Sequence, residues 1–96
     1  MPAALWGWVV SRFARKIDAN QPEIVEALEG AGCQVESLAP LGRGAPDLLV
    51  QRGKNLYLLE VKSKDGDLTP AQRKWHAFWR VTVVRDCEAA LRAVGL

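Results

Sequence analysis

The sequence predicts an α/β domain, a four-stranded mixed sheet flanked by helices in the order α-β-β-β-α-β-α. Three observations carry this. Two apolar runs of strand length, after Pro46-Asp47 and from Leu56 to Val61, flank a short polar break containing Gly53 and Asn55, so they read as two strands with a tight connection. Asn20-Gln21-Pro22-Glu23 and Thr69-Pro70-Ala71-Gln72 both have the form of a helix start, a capping residue followed three positions later by Glu or Gln, with proline in the first turn. Cys33 to Leu38 and Val81 to Val84 supply the remaining strands, and Asp86 opens a last helix.

Taken in order, residues 1–19 form an N-terminal extension. Leu5, Trp8, Val9, Arg12 and Phe13 fall at helical spacing with Trp6 left over, which fits an amphipathic helix; the segment either docks on the core, joins a dimer interface or is loosely attached, and the cost of bare indoles in water favours the first two. Residues 20–96 form the domain proper. Its first helix buries Ile24, Val25 and Leu28 and stops at Gly30 and Gly32. At 100° per residue Gln21 lies along the middle of that stripe, whereas Glu23 points nearly opposite and reads as the cap. The first strand ends near Pro40. Gly42 to Pro46 is either a plain turn whose glycines supply φ > 0, or a backbone that lets a phosphodiester approach with Arg43 beside it. In the second helix Gln72, Trp75, His76 and Trp79 share a side. Core packing is the expectation for the two tryptophans and capping for Gln72, and the lone His76 is more simply structural than a general acid or base. Ala89, Ala90, Leu91 and Val94 are available for packing in the last helix, which Gly95 ends.

The informative residues are charges on core strands. Side chains alternate along a strand, so Glu60 and Lys62 share one face while Tyr57, Leu59 and Val61 take the other, and Asp47 can point toward the same spot. Two carboxylates brought together at the edge of an apolar sheet repel each other and lose hydration, which is costly unless one is protonated or a cation sits between them. An oxygen-rich site of this kind suits Mg²⁺, which takes few protein ligands and leaves other positions to water and phosphate. With Lys62 to hold a water or the charge developing at phosphorus, the constellation fits metal-assisted phosphodiester hydrolysis.

Pro46-Asp47 followed by Glu60-Val61-Lys62 resembles the motif of the PD-(D/E)XK nuclease superfamily. From about Asn20 onward the chain is similar to its small VRR-NUC branch, through Gly42-Arg43-Gly44-Ala45-Pro46-Asp47, the Glu-Val-Lys strand, Leu68-Thr69-Pro70-Ala71-Gln72 and a Trp-rich helix. The resemblance implies the restriction-endonuclease-like core and a divalent-metal-dependent endonuclease acting on DNA. Asp47, Glu60 and the carbonyl of Val61 would hold Mg²⁺, for which Mn²⁺ substitutes, and Lys62 would orient or activate the water. It also implies an inward Glu or Gln near the first helix start, here Gln21, and a role for Gln72 in positioning the lysine or a substrate phosphate. Small stand-alone members look like homodimers selective for branched DNA such as four-way junctions, and a symmetric dimer supplies the two sites that symmetric cleavage needs.

Composition bounds the rest. A chain of 96 residues with ordinary apolar and charged fractions has room for one core, and its net charge of +2 does not by itself imply nucleic acid. Between Gly42 and Arg85, nine basic residues face only Asp47, Glu60, Asp65 and Asp67, which reads either as a DNA surface through Arg43, Lys64, Arg73 and Lys74 or as a solvated mixed-charge face. Cys33 and Cys87 lack zinc spacing. The apolar start precedes its basic residues and is too short to span a membrane, so a cytoplasmic location is expected. Two other readings stay open, a non-catalytic DNA-binding module on a nuclease-like fold and an unrelated small interaction protein.

Overall fold

A computed structural model describes residues 20–96; the helix expected within residues 1–19 lies outside the described residues. The elements are α1 (Gln21–Gly30), β1 (Gln34–Ser37), a 3₁₀ turn (Ala39–Leu41), β2 (Leu48–Arg52), β3 (Asn55–Val61), α2 (Pro70–Phe78), β4 (Val81–Val84) and α3 (Cys87–Ala93). The sheet order is β1-β2-β3-β4, with β1–β2 and β2–β3 antiparallel and β3–β4 parallel. The mixed sheet follows from the connections. Gly53, at φ 60°, turns β2 tightly into β3, whereas a parallel partner for β3 requires a crossover, which α2 supplies.

One face of the sheet holds the core. Leu48, Val50, Leu59, Val61 and Val84 pack against Ile24 and Leu28 of α1 and against Ala90 and Val94 at α3, with Tyr57 partly buried beside them. The alternation expected for β3 is therefore present, and Glu60 faces α2 on the other side, where Gln72 meets it. Leu59 is fully buried in a central strand. Leu59→Ala should cost about 2–5 kcal/mol, read as a lower urea midpoint with an unchanged slope.

Four local expectations meet different outcomes. Thr69 forms the expected capping box with Gln72, and the Asp86 side chain accepts from the Ala89 amide at 2.7 Å. Asn20 does not cap α1. Its backbone is helical and its side-chain amide instead donates to the carbonyls of Lys62 and Arg85, at 3.3 and 3.2 Å, tying the start of α1 to the ends of β3 and β4. Nor do the tryptophans join the core: Trp75 is half-buried and Trp79 is 55% exposed, their ring centroids 5.4 Å apart. The buried core cluster lies on the opposite face, and Trp79 instead borders an open depression with Leu49, Leu56 and Leu58.

Candidate active site

The site lies where β2 begins and β3 ends. One residue beyond the paired Leu48 and Leu59, the ladder changes. The Asp47 amide donates to the Leu59 carbonyl, the Asp47 carbonyl accepts from Leu38, and the Asp47 carboxylate takes the Val61 amide at 2.6 Å. A side chain thus satisfies a strand amide that the departing backbone of β2 leaves. Asp47 and Glu60 are 1% and 0% exposed. Burying two carboxylates on adjacent strands is unfavourable without compensating donors or a cation, which marks this end of the sheet as the chemically unusual part of the domain.

Helix α2 closes over Glu60. Gln72, buried, uses its Oε1 to accept from the Thr69 amide at 2.9 Å and turns its Nε2 toward Glu60 Oε2 at 3.4 Å. The cap and the contact with Glu60 are two ends of the same amide; the expected cap is present, and the partner at the other end is Glu60, where the resemblance implied Lys62 or a substrate phosphate. His76, one turn on, places Nε2 3.9 Å from Glu60 Oε1, beyond hydrogen-bonding reach, and that nitrogen has no hydrogen-bond partner among the described residues. Its neighbourhood with Glu60 was not legible from spacing alone.

Gln21 is buried and Glu23 exposed, as the stripe argument expects. The Gln21 Oε1 has no hydrogen-bond partner among the described residues, and the adjacent Asn20 anchors this end of α1 to the Lys62 carbonyl. Glu23 has no cap to complete, because Asn20 is engaged elsewhere. Lys62 is half-buried on the strand end that carries Glu60.

The loops around the site are built more rigidly than their composition suggests. Gly42, Arg43 and Gly44 all have positive φ, and a Cβ on Gly44 would stand 2.5 Å from the Ala71 backbone. What approaches Gly44 is the first turn of α2, so this glycine fixes the loop before Asp47 against the helix that carries Gln72. Arg85, the last of the nine basic residues after Gly42, donates its Nη1 to the carbonyls of Ser63, Lys64 and Gly66 and shapes the loop after Lys62. Arg43, Lys64, Arg73 and Lys74 are exposed, with Arg73 paired to Asp67 at 3.0 Å. Both partners of that pair are exposed, so it contributes little to stability.

The donors fit a hard divalent cation. Among the described residues no group of three or more His, Cys, Asp or Glu side chains forms a metal cage. A cation here would rest on two carboxylates, backbone oxygen and water, which is the pattern Mg²⁺ accepts.

An α/β core with Pro46-Asp47 leading into one strand and Glu60-Val61-Lys62 ending the next defines a PD-(D/E)XK nuclease-like domain. A solved structure described as "VRR_NUC domain" superimposes with a TM-score of 0.61 and 26% identity, covering 78% of this chain and 94% of that one. The chain therefore has the VRR-NUC fold of that superfamily, as its motifs indicate. No protein-family model and no curated protein sequence matches the chain. Among the described residues no helix is long and apolar enough to cross a membrane.

Proposed function

We propose that this domain is a divalent-metal-dependent endonuclease hydrolysing DNA phosphodiester bonds. The observation that carries the reading is the pair of buried carboxylates, Asp47 and Glu60, leaving adjacent strands beside Lys62. Asp47, Glu60 and the Val61 carbonyl would hold Mg²⁺ or Mn²⁺, which when bound supplies Lewis-acid stabilisation and lowers the pKa of a water. Lys62 holds the attacking water or the charge that develops on the phosphate oxygens. Gln72 orients the Glu60 carboxylate, and Gln21, a neutral amide, orients water without adding much to cation affinity.

The preferred substrate in this reading is branched DNA, such as a four-way junction, bound by a homodimer. What supports a dimer is an apolar depression of about 330 Å³ bordered by Leu49, Leu58 and Leu56, the last 66% exposed. The test is a panel of end-labelled linear, flapped and four-way-junction DNAs incubated with Mg²⁺ or with chelator, with sedimentation of the protein in parallel. Metal-dependent cutting that favours junctions, by a dimer, is expected. Tight junction binding without cutting in either metal would instead identify a non-catalytic DNA-binding module.

The basic surface should read backbone and shape, since the domain offers no groove-reading helix of the helix-turn-helix or finger kind. Affinity should fall with salt at about 0.9 in logarithmic slope per duplex phosphate neutralised. Lys64→Ala, Arg73→Ala or Lys74→Ala should weaken binding alike across unrelated sequences and lower that slope. Junctions of identical shape and scrambled sequence check this, and a preference above about 4 kcal/mol for one sequence would contradict it.

A further inference from the structure

Beside the carboxylate site is a second cavity, of about 410 Å³, bordered by Arg43, Ala71, Lys74, Trp75, Phe78 and Trp79. Its volume lies within the range of about 300–1,000 Å³ usual for small-ligand sites. Its border carries three aromatic rings and two cations, and among the described residues no acidic side chain borders it. Phe78, 86% exposed, is the most exposed large apolar side chain among the described residues. The loop and helix that border the cavity also carry Asp47, four residues after Arg43, and Gln72, which meets Glu60.

Two features show that the arrangement is constructed. Gly44 lies so close to Ala71 that any side chain there would collide with the helix backbone, which holds the Arg43 loop against α2. Arg43 itself adopts φ 55°, the left-handed region that strains a residue with a Cβ, although glycines flank it on both sides. A strained arginine between two unstrained glycines is a sign that the guanidinium is wanted at that position.

We infer that this cavity is a nucleobase-stacking subsite, which takes an unpaired base next to the scissile phosphate while Arg43 and Lys74 hold the flanking backbone phosphates. Aromatic faces receive any base, and paired cations receive its phosphates, which is how sequence-tolerant single-strand sites are built. This cavity has two cations and three aromatic rings at its border; the depression at Leu49, Leu56 and Leu58 shares Trp79 with it but has Arg80 as its one cation and a largely apolar lining, which suits a second copy of the chain. The inference rests on the nuclease reading and narrows it: the preferred DNA has a base free to leave its stack, as at a junction, a flap or a frayed end.

The test titrates the full chain, in chelator so that nothing is cut, with a single-stranded thymidine octamer and with the same octamer carrying abasic sites, following tryptophan emission. Saturable quenching by the thymidine octamer is expected from Trp75 and Trp79. Phe78→Ala should weaken that binding about tenfold, within the range for one lost stacking partner, while Phe78→Tyr restores it. The abasic octamer should bind wild type weakly and lose nothing further in Phe78→Ala. Arg43→Gly, which relieves the backbone, should keep the fold and lower the salt slope by about 0.7, the value for one single-strand phosphate. Equal affinities of Phe78→Ala and wild type for the thymidine octamer would overturn the inference, as would dissociation of a dimer by Phe78→Ala in sedimentation, which would make the face an interface between copies. A chain that stacks thymidine in chelator yet cuts no DNA with Mg²⁺ would refute the hydrolytic reading alone.

Discussion

Glu60→Gln and Asp47→Asn are each expected to leave a folded chain whose DNA cleavage falls by more than about 100-fold. That figure is the upper range for losing a group that merely supports a metal ligand, and loss of the ligand itself should exceed it. The choice of amide over alanine is dictated by the Asp47 geometry. Its carboxylate satisfies the Val61 amide at 2.6 Å in a fully buried setting, so Asp47→Ala would leave that donor without an acceptor and cost about 1–3 kcal/mol. For a domain of this size that is a fall of roughly 4–8 °C in Tm per kcal/mol. Asp47→Asn keeps an acceptor oxygen and should melt near wild type. Single-turnover cleavage of a labelled junction, with thermal melting on the same samples, separates lost chemistry from lost fold; cutting within a few-fold of wild type by either amide variant would remove these carboxylates from the mechanism.

Lys62→Ala should behave differently. It removes no proposed cation ligand, so metal binding is retained and DNA binding weakens only modestly. Cleavage should slow by about 10²-fold or more, the usual effect of losing a group that stabilises charge at the reacting centre. Single-turnover rates at saturating protein isolate the chemical step from affinity, and a rate within a few-fold of wild type would mean that Lys62 serves the surface only.

Much of this architecture was readable because its determinants are local. Period-two alternation along β3 put Glu60 and Lys62 opposite Leu59 and Val61, and the Thr69 and Asp86 caps need only residues three positions away. Gln21 was identified as the inward residue by helical periodicity alone. The failures share a physical cause, namely competition from partners distant in sequence. Asn20 has the right residue type for a cap, yet two carbonyls 42 and 65 positions away take its amide. Arg85 is exposed, and nothing local reveals that its guanidinium ties down the 63–66 loop. Trp75 and Trp79 carry a stripe that ordinarily means core, and nothing local reveals that the buried core cluster gathers on the other face of the sheet, leaving Trp79 at an open depression with Leu49, Leu56 and Leu58. The contact between His76 and Glu60, and the close approach of Gly44 to Ala71, likewise appear only when the crossover folds α2 back over the sheet.

The central claim is that Asp47 and Glu60 jointly hold a divalent cation, and calorimetric titration of Mn²⁺ into the DNA-free protein tests it most directly. Wild type and Lys62→Ala should each show saturable binding that Glu60→Gln and Asp47→Asn greatly weaken, with all four proteins melting cooperatively. Mn²⁺ binding left unchanged by both carboxylate substitutions would contradict the account.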